Sequence, residues 1–435
     1  MLKDRSLKIL IISSADPCIG PGTVGMDYYH ALQQGGYDVD LMTKYPVDGY
    51  PEILNVCDRN AHKERSYVAR AASYLRYRMN QLLHRQRPGY HFFYRREICP
   101  PVPVKDVLNK IIKPYDVVIV VFWQELLSFA TIDAIYDKLK CQIQFHCVDY
   151  SAMSGGCHFT GSCQNYMTGC GCCPGIYSKR GNDFTRWNTQ YRERVYSKVK
   201  PIVFGNSYMV DFYRKSYLLK DYDRVETGFP LVDNRKFYPH DAEKYRSQYQ
   251  IPLEKRFLIF FGSQDLGDER KGFIYLLEAL HLLYDSLTAS ERDEILLVIA
   301  GRNIDRIKDR LCFDYKYLGF VDSEELSAIY SMSNVYLSPS VNDAGPSMVN
   351  QSMSCGTPVV AFEMGTALDV IKDRETGYCA KLCDSEDFAK GIASILHLSN
   401  IEYLSLRKNC REVAEQLTSD EAFVRNFLRV YNKYK

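Results

Sequence analysis

Short apolar runs recur along the chain, each followed by a glycine- or proline-containing loop and then a stretch with helical spacing. Lys8-Ile-Leu-Ile-Ile-Ser13 is unbroken by polar residues, the pattern of a strand buried on both faces in a parallel sheet. A loop with Pro17, Gly20, Pro21 and Gly22 follows. The spacing then predicts a helix over Met26 to Gly35, stopped at Gly35-Gly36, and a second strand over Tyr37 to Met42. This strand–loop–helix–strand unit is the building block of a parallel sheet. Further strands are predicted at Asp116 to Phe122 and Gln142 to His146, with Pro201 to Phe204 as the last strand of the first half. The pattern then restarts. Arg256 to Phe261 is a strand, Gly272 to about Tyr284 a helix, and Ile295 to Ala300 the next strand. Strands at Tyr317 to Phe320, Val335 to Ser338 and Pro358 to Phe362 complete the second half. Two such halves imply two similar α/β domains with a ligand cleft between them. The expected division is residues 1–235, residues 236–415 and a terminal helix in 416–435 that can pack on either half. Val225 to Pro239 is read as the connection.

At 435 residues the chain is long enough for two or three cores. With 46% hydrophobic and 25% charged residues it is expected to fold as a soluble globular protein, and a net charge of +2 gives no global field for nucleic acid. Its 34 tyrosines suit a carbohydrate-handling surface, or serve as amphipathic filler on helices and strands. The charged opening, with Lys3, Asp4, Arg5 and Lys8, does not read as a signal peptide, so none is expected, and no apolar stretch is long enough to span a bilayer as a helix. A cytoplasmic protein is expected. The Arg- and Tyr-rich stretch from Arg65 to Arg96 either leans on an anionic membrane at its inner face or is a solvated helix face.

Three glycine loops carry the candidate chemistry. Gly20-x-Gly22-x-x-Gly25 matches the dinucleotide fingerprint as a string, but Ser14 to Ile19 separate it from the first strand, where the fingerprint needs its first glycine directly. That argues against a nicotinamide-type epimerase or dehydrogenase. Gly262 to Gly272 places Arg270 and Lys271 just before a helix, where two cations and free N–H groups make a diphosphate site. A solvated basic pair is the plain alternative. In the third loop Gly345 and Pro346 allow a tight turn after Asp343, and a helix is expected from Ser347 to Cys355 with Gln351 one turn inside. Gly356-Thr-Pro358 breaks that helix into the next strand.

On these residues the chain resembles glycosyltransferase family 4, over most of its length and most clearly from about Phe260 to Gly377. Cys355-Gly-Thr-Pro-Val-Val-Ala361, Phe362-Glu-Met-Gly-Thr366 and Glu375-Thr-Gly377 follow the family's wording. The family's paired glutamates fall on Asp343, which keeps the charge, and Gln351, which keeps only hydrogen-bonding capacity. The resemblance implies the GT-B fold, two Rossmann-like domains facing each other across a cleft, and sugar transfer from a nucleotide-sugar (UDP- or GDP-linked) with retention at the anomeric carbon. It also implies a glycan or lipid-linked acceptor, a hexosyltransferase-type activity, and no divalent metal for catalysis. In this alignment Arg270 and Lys271 are the phosphate-binding cations, Gly22 and Gly262 belong to the glycine loops, and Asp343, Gly345, Pro346, Ser347 and Gln351 hold the donor. Asp149 falls on the aspartate of a His-Asp pair whose histidine is replaced by Val148, and His146 is read as structural.

Fifteen cysteines are many for a reducing compartment, and five fall between Cys157 and Cys173. Cys157, Cys163, Cys170 and Cys173, with Cys172 and His158 among them, have a spacing that can close a structural zinc site; disulfides and free thiols are the other readings. Four thiolates would leave no open position for catalysis. A subset of the family, involved in bacterial surface polysaccharides, looks similar through Gly155-Gly-Cys-His158 and Gly169-Cys-Gly-Cys-Cys-Pro174. The segment 155–175 is expected to shape the acceptor side. A non-catalytic binding protein of the same fold remains the rival, because of Gln351.

Overall fold

The computed structural model describes residues 7–17, 22–58, 75, 87, 97–147, 149–229 and 231–435. Gly20, Pro21, Val148 and almost all of the basic stretch 65–96 therefore lie outside the described residues. The chain forms two compact units. The first comprises Met1–Gly205, Met209–Gly228 and Val424–Lys435, the second Asn206–Tyr208 and Phe229–Phe423. The main division falls at Gly228, ahead of the expected boundary at 235.

The first unit is built on a seven-stranded sheet in the order β3-β2-β1-β4-β5-β6-β7, with every pairing parallel. Its strands are β1 (Lys8–Ser13), β2 (Asp38–Thr43), β3 (Leu54–Asn55), β4 (Val117–Val120), β5 (Gln142–His146), β6 (Ile202–Gly205) and β7 (Val225–Thr227). β1 lies between β2 and β4, with Ile9 opposite Val39 and Val117, and Ile9 to Ile12 are fully buried, as a continuous apolar run requires. The helix after β1 starts at Thr23, three residues before the expected Met26. Val225 to Thr227, expected as part of a connection, is instead the seventh strand. A three-residue edge strand has no apolar run to announce it. The helix Phe129–Leu139 opens on a capping box between Ser128 and Thr131, and Asp183 caps the helix Phe184–Val199. Between these helices and the sheet pack Trp123, Phe129, Phe145 and Tyr196.

The last helix, Asp420–Lys433, contributes its residues from Val424 onward to this unit. Phe427 packs edge-on against Tyr37, and Glu226 on β7 accepts from Arg429 Nη2 (3.0 Å), Lys433 Nζ (2.6 Å) and Tyr434 OH (2.8 Å).

The second unit holds a six-stranded parallel sheet, β10-β9-β8-β11-β12-β13. Its strands are β8 (Phe257–Asp265), β9 (Ile295–Arg302), β10 (Tyr315–Gly319), β11 (Val335–Ser338), β12 (Val359–Phe362) and β13 (Gly377–Ala380). β8 runs four residues beyond the expected Phe261, so Gly262 lies inside a strand and not in the loop. A Cβ on Gly262 would stand 2.7 Å from the Ala300 carbonyl oxygen, and one on Gly301 (φ +137°) 2.0 Å from that of Ser263. Close approach of β8 and β9 accounts for both glycines. β13 was not expected from its sequence, whose middle residues are only half-buried. Among the described residues no helix is long and apolar enough to cross a membrane.

Candidate active site

In the second unit, the turn after β8 and the loop after β11 are fastened to each other. Asp268 caps the short turn Glu269–Lys271, accepting from the Arg270 N–H (3.0 Å) and from Arg270 Nη2 (2.6 Å). The Arg270 carbonyl accepts from the N–H groups of Val341 (2.9 Å) and Asn342 (3.2 Å). Gly272 closes the turn at φ +66°, and a Cβ there would lie 2.0 Å from the Pro339 carbonyl oxygen, so the two loops approach as they do only through glycine.

That contact delivers Lys271 Nζ to 2.5 Å from Asp343 Oδ2, while Asp343 Oδ1 accepts from the Gly345 N–H (3.2 Å). The Asp343 side chain is only 13% exposed. Burial works to raise its pKa. The Lys271 charge and hydrogen bond, the Gly345 N–H and the Arg270 charge outweigh that and hold the carboxyl below the ordinary value. Gly345 (φ +151°) sits under Asn206, whose Nδ2 donates to the Ala344 carbonyl (2.6 Å). Pro346 then leads into the helix Ser347–Ser354, whose first turn carries no side-chain cap, with Ser347 exposed. One turn on, the buried Oε1 of Gln351 has no hydrogen-bond partner. Structure thus brings together Arg270, Lys271, Asp343 and Gly345, with Pro346, Ser347 and Gln351 next in the chain. Gly262 lies within β8, one position beyond Phe261, which pairs with Leu337 of β11.

In the first unit Gly22 begins the helix Thr23–Gln34. A Cβ on it would lie 2.0 Å from the Asp16 carbonyl oxygen, which explains glycine there by crowding alone. Asp149 is buried at the end of β5. Its Oδ1 accepts from the Ser151 N–H (2.7 Å), and its Oδ2 from Gln124 Nε2 (2.6 Å) and from the Nδ1–H of His158 (2.8 Å). His158, 25% exposed, is the outward member of this pair. Sequence reasoning passed over its role, because a contact across a loop leaves no periodic trace. His146 is buried in β5, stacked on Phe204 and bonded to Gln144, and burial lowers its pKa to about 3, so it stays neutral.

Beneath Asp149 the backbone is anchored by a buried pair. Arg192 Nε donates to Glu97 Oε1 (2.7 Å), and its Nη1 donates to the carbonyls of Ser151 and Ser154. Glu97 Oε2 accepts from the Phe129 N–H (2.8 Å).

Cys157, Cys163, Cys170 and Cys173 line one small cavity together with Ser154 and Tyr166. None of the four is in a disulfide. Burial pushes the Cys157 thiol well up, and the sulfurs of Cys170, Cys173 and Cys163 add to the effect; Cys173 is pushed up to about 12, chiefly by burial. Cys172 is exposed, its Sγ directed to the Lys179 carbonyl. Among the described residues no group of three or more His, Cys, Asp or Glu already stands arranged to hold a metal ion.

Comparison with known proteins places this architecture. Sucrose-phosphate synthase from Thermosynechococcus elongatus superposes over 99% of both chains with a TM-score of 0.66 at 17% identity. Anabaena Alr3699/HepE, solved in complex with UDP-glucose, superposes over 98% of this chain and 100% of its own with a TM-score of 0.63 at 12% identity. The fold is GT-B, two parallel-sheet Rossmann-like domains. Residues 241–417 match the family described as glycosyl transferases group 1. An uncharacterized 41.2 kDa protein in the cps region of Klebsiella pneumoniae is 23% identical over 58% of this chain and 68% of its own length. The next curated relatives are matched over only 37% to 47% of their own lengths.

Proposed function

We propose that the chain transfers a hexosyl group from a UDP- or GDP-sugar to a glycan or lipid-linked glycan, with retention at the anomeric carbon, in cell-surface polysaccharide synthesis. The observation that carries the reading is the Lys271–Asp343 pair, fixed by two fastened loops beside the uncapped start of the helix Ser347–Ser354. A departing diphosphate gathers negative charge, and Arg270, Lys271 and the helix N–H groups stabilise it without a metal ion. The acceptor hydroxyl attacks from the face the diphosphate leaves, and its proton passes to the departing phosphate. Gln351 Oε1, buried and unpartnered, accepts from a donor hydroxyl. Asp149 acts by orienting His158, which meets a sugar hydroxyl. The UDP-glucose complex of Alr3699/HepE supports the nucleotide-sugar donor, and the relative from a cps region supports the polysaccharide context. A lipid-linked acceptor would place the enzyme at the inner face of the membrane.

A thermal-shift screen of UDP- and GDP-sugars, followed by product analysis with the stabilising donor, tests this. Stabilisation by one donor and transfer from it support the reading. Stabilisation without transfer to any glycan acceptor would instead favour a non-catalytic binding protein, consistent with Gln351 replacing a carboxylate. No stabilisation by any donor removes the pocket.

A further inference from the structure

We infer that Cys157, Cys163, Cys170 and Cys173 bind one zinc ion with a structural role. This does not depend on the proposed sugar transfer.

Four cysteines from separate parts of the loop line a single cavity, and no charged side chain lines it. Cysteines serving only as small hydrophobes would close over such a space, since side chains around a void lose the contacts that dense packing gives them. An opening ringed by thiols and free of lysine or arginine suits a soft dication, which takes thiolate ligands in tetrahedral array. The backbone is bent to present them. Gly169 (φ +91°), Cys170 (φ +62°), Gly171 (φ +90°) and Cys172 (φ +45°) form a continuous left-handed run, and a Cβ on Gly171 would lie 2.2 Å from the Gly181 carbonyl oxygen. Two non-glycine residues in that conformation need something to hold them. The Gly155 N–H already donates to Cys170 Sγ (3.2 Å), the kind of contact that steadies a metal-bound thiolate, and Asp183 Oδ2 fixes the Cys173 N–H (2.9 Å).

The four thiols do not stand in a metal-holding arrangement as they are. Zinc would draw them in to about 2.3 Å from the metal. Each cysteine binds as thiolate, so its thiol proton goes to solvent as zinc enters, and nothing is oxidised or reduced. The exposed Cys172 is left out of the site. With four sulfurs on the metal no position is open to substrate, so the ion fastens the loop from which His158 reaches Asp149.

The test uses the full chain without a polyhistidine tag, expressed with added zinc and dialysed against a weak chelator. Elemental analysis should find one zinc per chain, released by a mercurial thiol reagent. Replacement by Co(II) should give the intense near-ultraviolet absorption of sulfur-to-cobalt charge transfer, read on the wild-type chain so that no variant need fold. The C172S chain should keep its zinc, and the C157S/C173S chain should lose it. Absence of zinc from the folded wild-type chain together with no sulfur–cobalt band overturns the inference. So does undiminished zinc in C157S/C173S.

Discussion

Lys271 Nζ and Asp343 Oδ2 stand 2.5 Å apart although 72 positions separate them in the chain. The pair joins the turn after β8 to the loop after β11, at the C-terminal ends of adjacent parallel strands. In open α/β sheets ligands are held at that edge.

Replacing Lys271 by methionine should therefore weaken nucleotide-sugar binding. A charge-assisted contact contributes about 1.5–3 kcal/mol, roughly 10- to 150-fold in affinity. Titration calorimetry with the donor found in the screen measures it. Lys308→Met, which removes a solvent-exposed pair with Asp305, should leave affinity unchanged. Equal binding by both variants would remove Lys271 from the donor site.

The same pair makes stability depend on pH in a definite direction. Asp343 has its folded-state pKa depressed, so its contribution is present above the unfolded value of about 3.9 and is lost as pH falls through the lower folded value. Without ligand, Asp343→Asn should lower the Tm at pH 7, and the difference from wild type should begin to close only below about pH 4. Scanning calorimetry between neutral and acid pH checks this; a difference that closes already near pH 6 would contradict it.

Gly345→Ala should destabilise the second unit by about 1–3 kcal/mol, from an unfavourable φ and a Cβ 2.6 Å from Asn206 Nδ2. Gly36→Ala, also at positive φ but with nothing within 4 Å, isolates the backbone cost and should lose about 1 kcal/mol. Urea unfolding of the two variants compares them, and equal losses would mean that Asn206 yields at no cost.

Arg192→Leu should cost about 3–5 kcal/mol, because it strands the buried Glu97 carboxylate and frees the carbonyls of Ser151 and Ser154. Adding Glu97→Met should recover much of that loss. A double-variant cycle by chemical denaturation measures the recovery, and its absence would mean that the carbonyl contacts, not the ion pair, dominate.

Much of the fold was legible because buried parallel strands write themselves as unbroken apolar runs. β1 from Lys8 to Ser13 and β5 from Gln142 to His146 have the boundaries their hydrophobicity predicts. β7 and β13 did not, being short edge strands whose residues are only part-buried. Gly262 was misplaced because a glycine required by a close strand pair looks the same in sequence as one required by a loop. In the site, charge and glycine spacing singled out Arg270, Lys271 and Asp343, yet nothing local says that Lys271 meets Asp343. His158 was hidden for the same reason. Its partner Asp149 comes from the end of β5, and only the curl of the cysteine loop brings the two together.

The allocation of the last helix has a consequence during synthesis. A ribosome emits every strand of the first unit, then the whole second unit, before Val424 to Lys435 appear. Until then Glu226 has none of the three partners that later cover it, and Tyr37 lacks Phe427. The first-made unit is thus completed after the second, and a nascent chain halted at Phe423 carries a complete six-stranded sheet and a seven-stranded sheet still missing its closing helix.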